Sequence, residues 1–180
     1  MRKRHVIVGF ILIAAFVLLS CYQLINNPSV EAAVRIGPMI GNRVPDFLLS
    51  GINGESTSLN SVIKANKVTL VNFWGIWCPY CVQEIPELVK FYQQFAGQKV
   101  ELLGVNVGDA PRTVPAFARS HQMNFPILYD RNNLVSTLYQ IQGFPTTLII
   151  DQKGIIRERI VGATNYSALQ EKVQRLLKEK

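Results

Sequence analysis

Residues Trp77-Cys78-Pro79-Tyr80-Cys81 constrain this chain more than any other stretch. An apolar run, Val68-Thr69-Leu70-Val71-Asn72-Phe73-Trp74, ends just before them, and a helical pattern begins with them. The two cysteines therefore sit where a buried strand hands over to a helix N-terminus. At this spacing the sulfurs close a small disulfide ring or open to a dithiol. The positive end of the helix favours a thiolate at the first sulfur, and the thiolate is the reactive form. Cys21 is the only other cysteine, so the chain is no disulfide scaffold; one close pair is redox-active or metal-binding more often than structural.

The surrounding pattern alternates strands and helices. Val44 to Leu49 and Glu55 to Leu59 read as two short strands across a Gly51-Ile52-Asn53-Gly54 turn. Leu59 to Ala65 reads as one or two helical turns. Lys67 to Trp74 and Val100 to Val107 are continuous apolar runs, the pattern of strands buried on both faces. Pro79 to Ala96 is helical, with Val82, Ile85, Leu88, Val89, Tyr92 and Phe95 as its apolar stripe and Pro86 expected to kink it. Pro111 to Met123 reads as a helix with Val114, Phe117 and Ala118 inward. Ile127 to Tyr129 is a short strand and Leu134 to Tyr139 a short helix. Thr146 to Asp151 and Ile155 to Val161 form a hairpin, and Asn165 caps a last helix that ends near residue 178. Such alternation gives an α/β sandwich. It does not by itself exclude a flavodoxin-like fold; the position of the cysteines does.

The first 25 residues are of another kind. Met1-Arg2-Lys3-Arg4-His5 is basic, Val6 to Leu19 is apolar and uncharged, and the mildly polar Ser20 to Ile25 extends the stretch to a length that spans a bilayer. The basic start puts the N-terminus in the cytoplasm and the remainder outside. The reading is a membrane anchor or signal segment over 1–25, a linker over 26–41 and an extracytoplasmic domain over 42–180. Two other fates export the domain as well: cleavage after Ala32, which would release it, and lipidation at Cys21, since Leu18-Leu19-Ser20-Cys21 resembles a lipobox. Of the formal net charge of +7, +5 remains once residues 1–32 are set aside, and it is scattered, which excludes a nucleic-acid footprint.

Within the domain the candidate site residues gather around the cysteines. Cys78 is expected exposed at the helix start, with Pro79 at the first helical position, and Cys81 one turn in and more buried. Cys78 would attack a partner disulfide, and Cys81 would then resolve the mixed disulfide. The competing reading is a zinc or copper site, but two cysteines do not fill a tetrahedral shell, and His121, the one domain histidine, falls on a polar helix face. Glu84 lies three residues after Cys81 and shares its face; buried, it would have a raised pKa and take the Cys81 proton, whereas exposed it would only complement the helix dipole. Pro145, in Gly143-Phe144-Pro145-Thr146, reads either as an ordinary strand-initiating proline or as a cis proline whose neighbours could pair with an extended substrate.

Together these residues resemble the thioredoxin superfamily, and within it the membrane-anchored extracytoplasmic TlpA/ResA/CcmG-like thiol-disulfide oxidoreductases. The likeness covers residues 40–178. Its carriers are Val44-Pro45-Asp46-Phe47, Asn72 through Cys78, Cys81 with Glu84 and Pro86, Gly104-Val105-Asn106-Val107, and Gly143-Phe144-Pro145-Thr146-Thr147. The resemblance implies a thioredoxin-like three-layer sandwich with an N-terminal β-hairpin and a central insertion near residues 111–123. It implies a nucleophilic Cys78, a resolving Cys81, a cis Pro145, a substrate surface at Trp77, Pro79, Tyr80, Phe144 and Pro145, and no cofactor or metal. Asn72 stands where cytoplasmic thioredoxins carry a buried aspartate, and Glu84 matches the acid that the ResA-like branch uses instead. One departure is Pro79-Tyr80, a glutaredoxin-like dipeptide where that branch usually has Glu-Pro. It bears on thiol acidity and hence on the reduction potential and the direction of electron flow; potentials in this superfamily spread over about 150 mV, roughly 7 kcal/mol for two electrons.

The implied function is reduction of exported protein disulfides, such as the haem-attachment cysteines of apocytochrome c, by a protein anchored in the bacterial cell membrane and re-reduced by a membrane thiol carrier. The alternatives are a general disulfide oxidase or isomerase and a copper metallochaperone. The last expects Cys-x-x-x-Cys with a histidine nearby. A peroxidase expects Pro-x-x-x-Thr/Ser-x-x-Cys, where this chain has Val71 and Gly75.

Overall fold

The fold was analysed on a computed structural model that describes residues 2–25 and 35–179, with side chains in the first stretch for residues 12–23. The chain divides into two compact units, Met1–Ala33 and Val34–Lys180. The first holds one helix, α1 (Arg2–Ile25). Among the described residues no helix is long and apolar enough to cross a membrane. The cleavage point expected at Ala32 and residues 26–34 of the expected linker lie outside the described residues.

The second unit runs β1 (Leu48–Ser50), β2 (Ser56–Ser58), α2 (Leu59–Ala65), β3 (Val68–Trp74), α3 (Pro79–Phe95), β4 (Val100–Val107), α4 (Val114–Ser120), β5 (Ile127–Asp130), α5 (Leu134–Leu138), β6 (Thr146–Asp151), β7 (Ile156–Val161) and α6 (Tyr166–Lys178). β1 and β2 form an antiparallel hairpin. The other five strands make one sheet in the order β5-β4-β3-β6-β7, with β3, β4 and β5 parallel and β6 and β7 antiparallel to their neighbours. β3 is thus the central strand, and all seven of its residues are buried.

Alternation along the strands divides the core into two. Val68, Leu70 and Trp74 of β3, with Val100 and Leu102 of β4, pack with Ile85, Leu88, Phe91 and Phe95 of α3, Val114 and Ala118 of α4, and Leu169 and Val173 of α6. Val71 and Phe73, with Leu103, Val105 and Val107, pack on the opposite face with Leu59 and Ile63 of α2, Val135 of α5 and Tyr139. This is the three-layer sandwich that the resemblance implies. Tyr139 is fully buried beside Phe47 and Phe73, and its hydroxyl donates to the Pro45 carbonyl, which ties the segment before β1 to that core.

The chain's own N-terminal segment pairs with part of each outer edge of the sheet, at Ile127 and Leu128 on β5 and at the start of β7, and satisfies main-chain groups there. Gly51 bridges to Leu128 on β5, and Ile52 N–H donates to the Ile127 carbonyl. At the other edge Gly41 N–H donates to Ile156, Ile156 N–H to Asn42, and Val44 N–H to Gly154. Gly41 takes a φ of +85°, where a side chain would be strained. The folded unit therefore begins within what the sequence reads as linker.

Two helices differ from expectation. The inward face of α3 holds Cys81, Glu84, Ile85, Leu88, Phe91 and Phe95, whereas Val82, Val89 and Tyr92 are only half-buried. The face is rotated because Glu84, a charged residue, sits on its buried side, and a purely apolar stripe passes it by. The helix runs through Pro86 without interruption. α4 is shorter than residues 111–123. Thr113 N–H donates to the Ala110 carbonyl in a turn ahead of it. After Ser120, Gln122 turns left-handed (φ 53°) and Met123 N–H reaches back to the Ala118 carbonyl, which closes the helix.

The rotated face predicts an order of stabilities. Phe91→Ala should lower the unfolding free energy by about 3–5 kcal/mol, the usual cost of emptying a fully buried aromatic site. Tyr92→Ala should cost clearly less. Urea titrations of both variants check this, and equal losses would contradict the rotation.

Candidate active site

α3 begins at the cysteines because Cys78 is its N-cap and Pro79 its first residue. Proline loses nothing there, since the first N–H groups of a helix have no partner within it. Cys78 Sγ accepts the Cys81 N–H at 3.2 Å, so the sulfur lies at the positive end of the helix. Cys78 and Cys81 form a disulfide, with Cα atoms 5.3 Å apart. Cys78 is 4% exposed, which corrects the expectation that it stands open to solvent. In the oxidised state its sulfur is turned into the ring and belongs to the core cluster of Trp74, Cys81 and Ile85, with Phe144 packed against that cluster. The exposed groups are its neighbours: Pro79, Trp77 at 55% and Tyr80 at 64%.

The turn before Cys78 is tightly held. Cys78 N–H donates to the Gly75 carbonyl at 3.2 Å. The Trp77 indole N–H donates to the Val107 carbonyl at 3.0 Å, and its ring meets the Phe144 ring edge-on at 4.9 Å. Gly75 has no alternative, because a Cβ there would lie 2.3 Å from Trp77 Nε1. A cleft of about 350 Å³ opens beside these rings, lined by Trp77, Gly108, Asn133, Thr137 and Phe144 among others.

Glu84 is 2% exposed, so it does not merely decorate the first turn of the helix. Its Oε2 accepts from Asn72 Nδ2 at 3.1 Å and its Oε1 from the Thr164 N–H at 2.9 Å. Asn72 donates its second amide hydrogen to Thr147 Oγ1 at 2.9 Å. Burial raises the Glu84 pKa from its ordinary 4.5 to about 7; the two hydrogen bonds pull it down but are the smaller effects. Asn72 is neutral and adds no charge to the carboxylate beside it. A titrating acid therefore lies three residues along the helix from Cys81, on the same buried face.

The Phe144–Pro145 peptide bond is cis, as the resemblance implies. Of the neighbouring main-chain groups, the Pro145 carbonyl is already taken by the Gly162 N–H at 2.8 Å and the Gly143 carbonyl by Thr146 Oγ1 at 2.7 Å. Among the described residues the N–H and carbonyl of Phe144 have no main-chain partner. Pro145 is buried and Phe144 half-buried, so of the expected substrate surface Trp77, Pro79 and Tyr80 are the open part. His121 is half-buried and stacks on Phe117 at the end of α4. Among the described residues no group of three or more His, Cys, Asp or Glu is placed to hold a metal ion.

Sequence reasoning missed Asp109, whose Oδ2 accepts the Ile76 N–H at 2.8 Å. It follows the carboxyl end of β4, the side of a parallel sheet where α/β sites gather, and that position is the signal that could have found it. Thr147 and Thr164 were missed too. Thr147 stands in the motif that carries the resemblance but its hydroxyl contact to Asn72 was not foreseen, and Thr164 supplies only a backbone N–H, which leaves no motif.

Comparison with known proteins places these features in context. A family model described as the AhpC/TSA family matches residues 40–159. The chain is 36% identical over 123 residues to thiol-disulfide oxidoreductase ResA of Geobacillus kaustophilus, covering 68% of this chain and 70% of that one. It is 36% identical over 141 residues to thioredoxin-like protein YneN of Bacillus subtilis, covering 77% and 81%. The crystal structure of StoA from Bacillus subtilis superposes with a TM-score of 0.63 at 29% identity, over 72% of this chain and 97% of that one.

Glu84 gives the fold a pH dependence of known sign. Its folded pKa of about 7 lies above the ordinary 4.5, so the native state holds a proton that the unfolded chain releases. Stability is then unaffected by this group below pH ~4.5, falls as pH rises toward ~7, and is level above that, a loss on the order of 3 kcal/mol. Glu84→Gln should lack this loss, so the oxidised variant should gain on the native protein across that window in denaturant titrations. Parallel pH profiles would mean that Glu84 titrates normally.

Proposed function

The chain belongs to the AhpC/TSA family and is a thioredoxin-like thiol-disulfide oxidoreductase of the ResA type, and on that premise we propose that it is an exported, membrane-tethered reductase of protein disulfides. The observation that supports the exchange chemistry is the buried Glu84 carboxyl, titrating near neutral pH on the face of α3 that bears Cys81. In the dithiol form the Cys78 thiolate, stabilised at the helix N-terminus, attacks one sulfur of a partner disulfide. A Cys78–partner disulfide forms and the other partner sulfur leaves as a thiolate. Glu84, as carboxylate, takes the Cys81 proton. The Cys81 thiolate attacks Cys78 Sγ, the Cys78–Cys81 disulfide forms, and the second partner sulfur is released. Two electrons have passed to the partner, which leaves as a dithiol. A membrane thiol carrier restores the Cys78–Cys81 dithiol, since an oxidising compartment supplies no other reductant.

The partner is an extended polypeptide carrying a disulfide between closely spaced cysteines, such as the haem-attachment segment of apocytochrome c. The rim of Trp77, Pro79, Tyr80 and Phe144 and the unpaired main-chain groups of Phe144 suit an extended chain. The tether is supported by the apolar run Val6 to Leu19 and by Leu12, Ile13, Phe16, Val17, Leu18 and Leu19, all exposed on α1. Peroxidase chemistry has no footing: Val71 is committed to the core and Gly75 to the space under Trp77.

Two experiments test the proposal. Cys81→Ala in the full-length chain should trap a mixed disulfide through Cys78 in the membrane fraction, with an apocytochrome c in the adduct. A broad set of secreted proteins in the trap would favour a general oxidase or isomerase instead. The absence of any adduct would oppose two-cysteine exchange, and a soluble adduct whose chain starts at Ala33 would remove the tether. Glu84→Gln should slow the resolving step by about 100-fold near pH 7, the usual size of a general-base contribution. A rate equal to the native one, with the same pH profile, would show that Cys81 loses its proton elsewhere.

A further inference from the structure

The loop after β4 grips the turn that presents Cys78. Asp109 is its centre: one carboxylate oxygen, Oδ2, accepts both the Ile76 N–H and an amide N–H of Asn106, each at 2.8 Å. The same loop receives the Trp77 indole N–H at the Val107 carbonyl. Ile76 and Trp77, the two residues between Gly75 and Cys78, are thus both bonded to residues 107–109. Asn106 is buried, and turning its amide hydrogens toward the carboxylate leaves its Oδ1 without a partner. An orphaned buried carbonyl is costly, and a charge-assisted bond to Asp109 is the contact strong enough to offset it. Asn106 is therefore oriented for Asp109, and Asp109 for Ile76.

We infer that Asp109 is a positioning residue for thiol-disulfide exchange: through the Ile76 N–H it fixes the turn that sets Cys78 at the N-terminus of α3. The Cys78 N–H bond to the Gly75 carbonyl and the Trp77 indole bond to Val107 hold the two ends of the turn, and Asp109 holds the main chain between them. Gly75 has no side chain, and Ile76 is half-buried with its only main-chain donor spent on Asp109. Releasing that donor removes the one main-chain bond of Ile76 to the loop and loosens the middle of the Gly75–Cys78 turn. The sulfur then leaves the alignment in which the helix N-terminus stabilises the thiolate and in which the partner sulfur is approached. The carboxylate matters here as a hydrogen-bond acceptor. Its negative charge, taken alone, would oppose a thiolate nearby.

The test compares Asp109→Ala with Asp109→Asn in the reduced full-length chain. Both lose the charge, but only asparagine keeps an acceptor oxygen for Ile76. The readout is the rate of reaction with a small aromatic disulfide across a pH series, taken on the plateau above the thiol midpoint, alongside the melting temperature. Asp109→Ala should be about 10-fold slower on the plateau, and Asp109→Asn should return to within about 3-fold of the native rate. A native rate in Asp109→Ala, or equal rates in the two variants, would overturn the inference. A purely structural role would lower the melting temperatures and leave the plateau rates alike. If Asp109→Ala does not fold, Asn106→Ala removes the brace on Asp109 and should still slow the plateau several-fold; an unchanged rate there counts against the inference too. The inference rests on Cys78 as the attacking sulfur. Persistent reaction in Cys78→Ser would overturn that assignment, an outcome distinct from an Asp109 series without effect.

Discussion

β3 buries every one of its side chains, and the rest of the domain follows from that. A strand with apolar groups on both faces needs helices on both faces, and a parallel neighbour needs a crossover long enough to be one of them. α3 and α6 cover one side, and α2 and α5 the other. β3 also decides where chemistry occurs. Its last residue, Trp74, delivers the chain to the carboxyl end of the sheet, and four residues later Cys78 caps α3. The reactive pair is therefore fastened to the most constrained strand of the molecule through one short turn.

The single polar break on the helix face of β3 is Asn72, between Leu70 and Trp74. It meets the single charged residue on the buried face of α3, Glu84. A carboxylic acid in that position is held by donors that favour its ionised form and by burial that favours its neutral form, and burial is the stronger. The balance falls near neutral pH because Asn72 donates hydrogen bonds without bringing a charge. The same pair thus accounts for an acid poised to exchange protons and for a local cost to the stability of the fold.

Much of this was legible from the residues. The apolar runs gave β3 and β4, Asn165 gave the cap of α6, and the cysteine spacing gave the disulfide. What escaped were features set by tertiary contact. Phe91 was hidden because a buried acid breaks the apolar stripe on which periodicity relies. The burial of Cys78 comes with membership of a cluster drawn from β3, β4, α3, α4 and α6, which no local pattern around the cysteines shows. Asp109 lies 33 positions from the backbone N–H it accepts, and no local pattern announces such a bond. α4 ends early because of a left-handed residue at Gln122, a type that does not advertise that conformation.

The partly covered edges of the sheet have a consequence for recognition. Gly51 and Ile52 lie against β5 and residues 41–44 against the start of β7, so those stretches of the sheet edge are already paired by the chain itself. Main-chain hydrogen bonding is still on offer at Phe144, beside the disulfide. The N–H and carbonyl of that residue can pair only with main-chain groups that a visiting polypeptide has left free. A contact of that kind reads the conformation of a polypeptide before it reads its side chains.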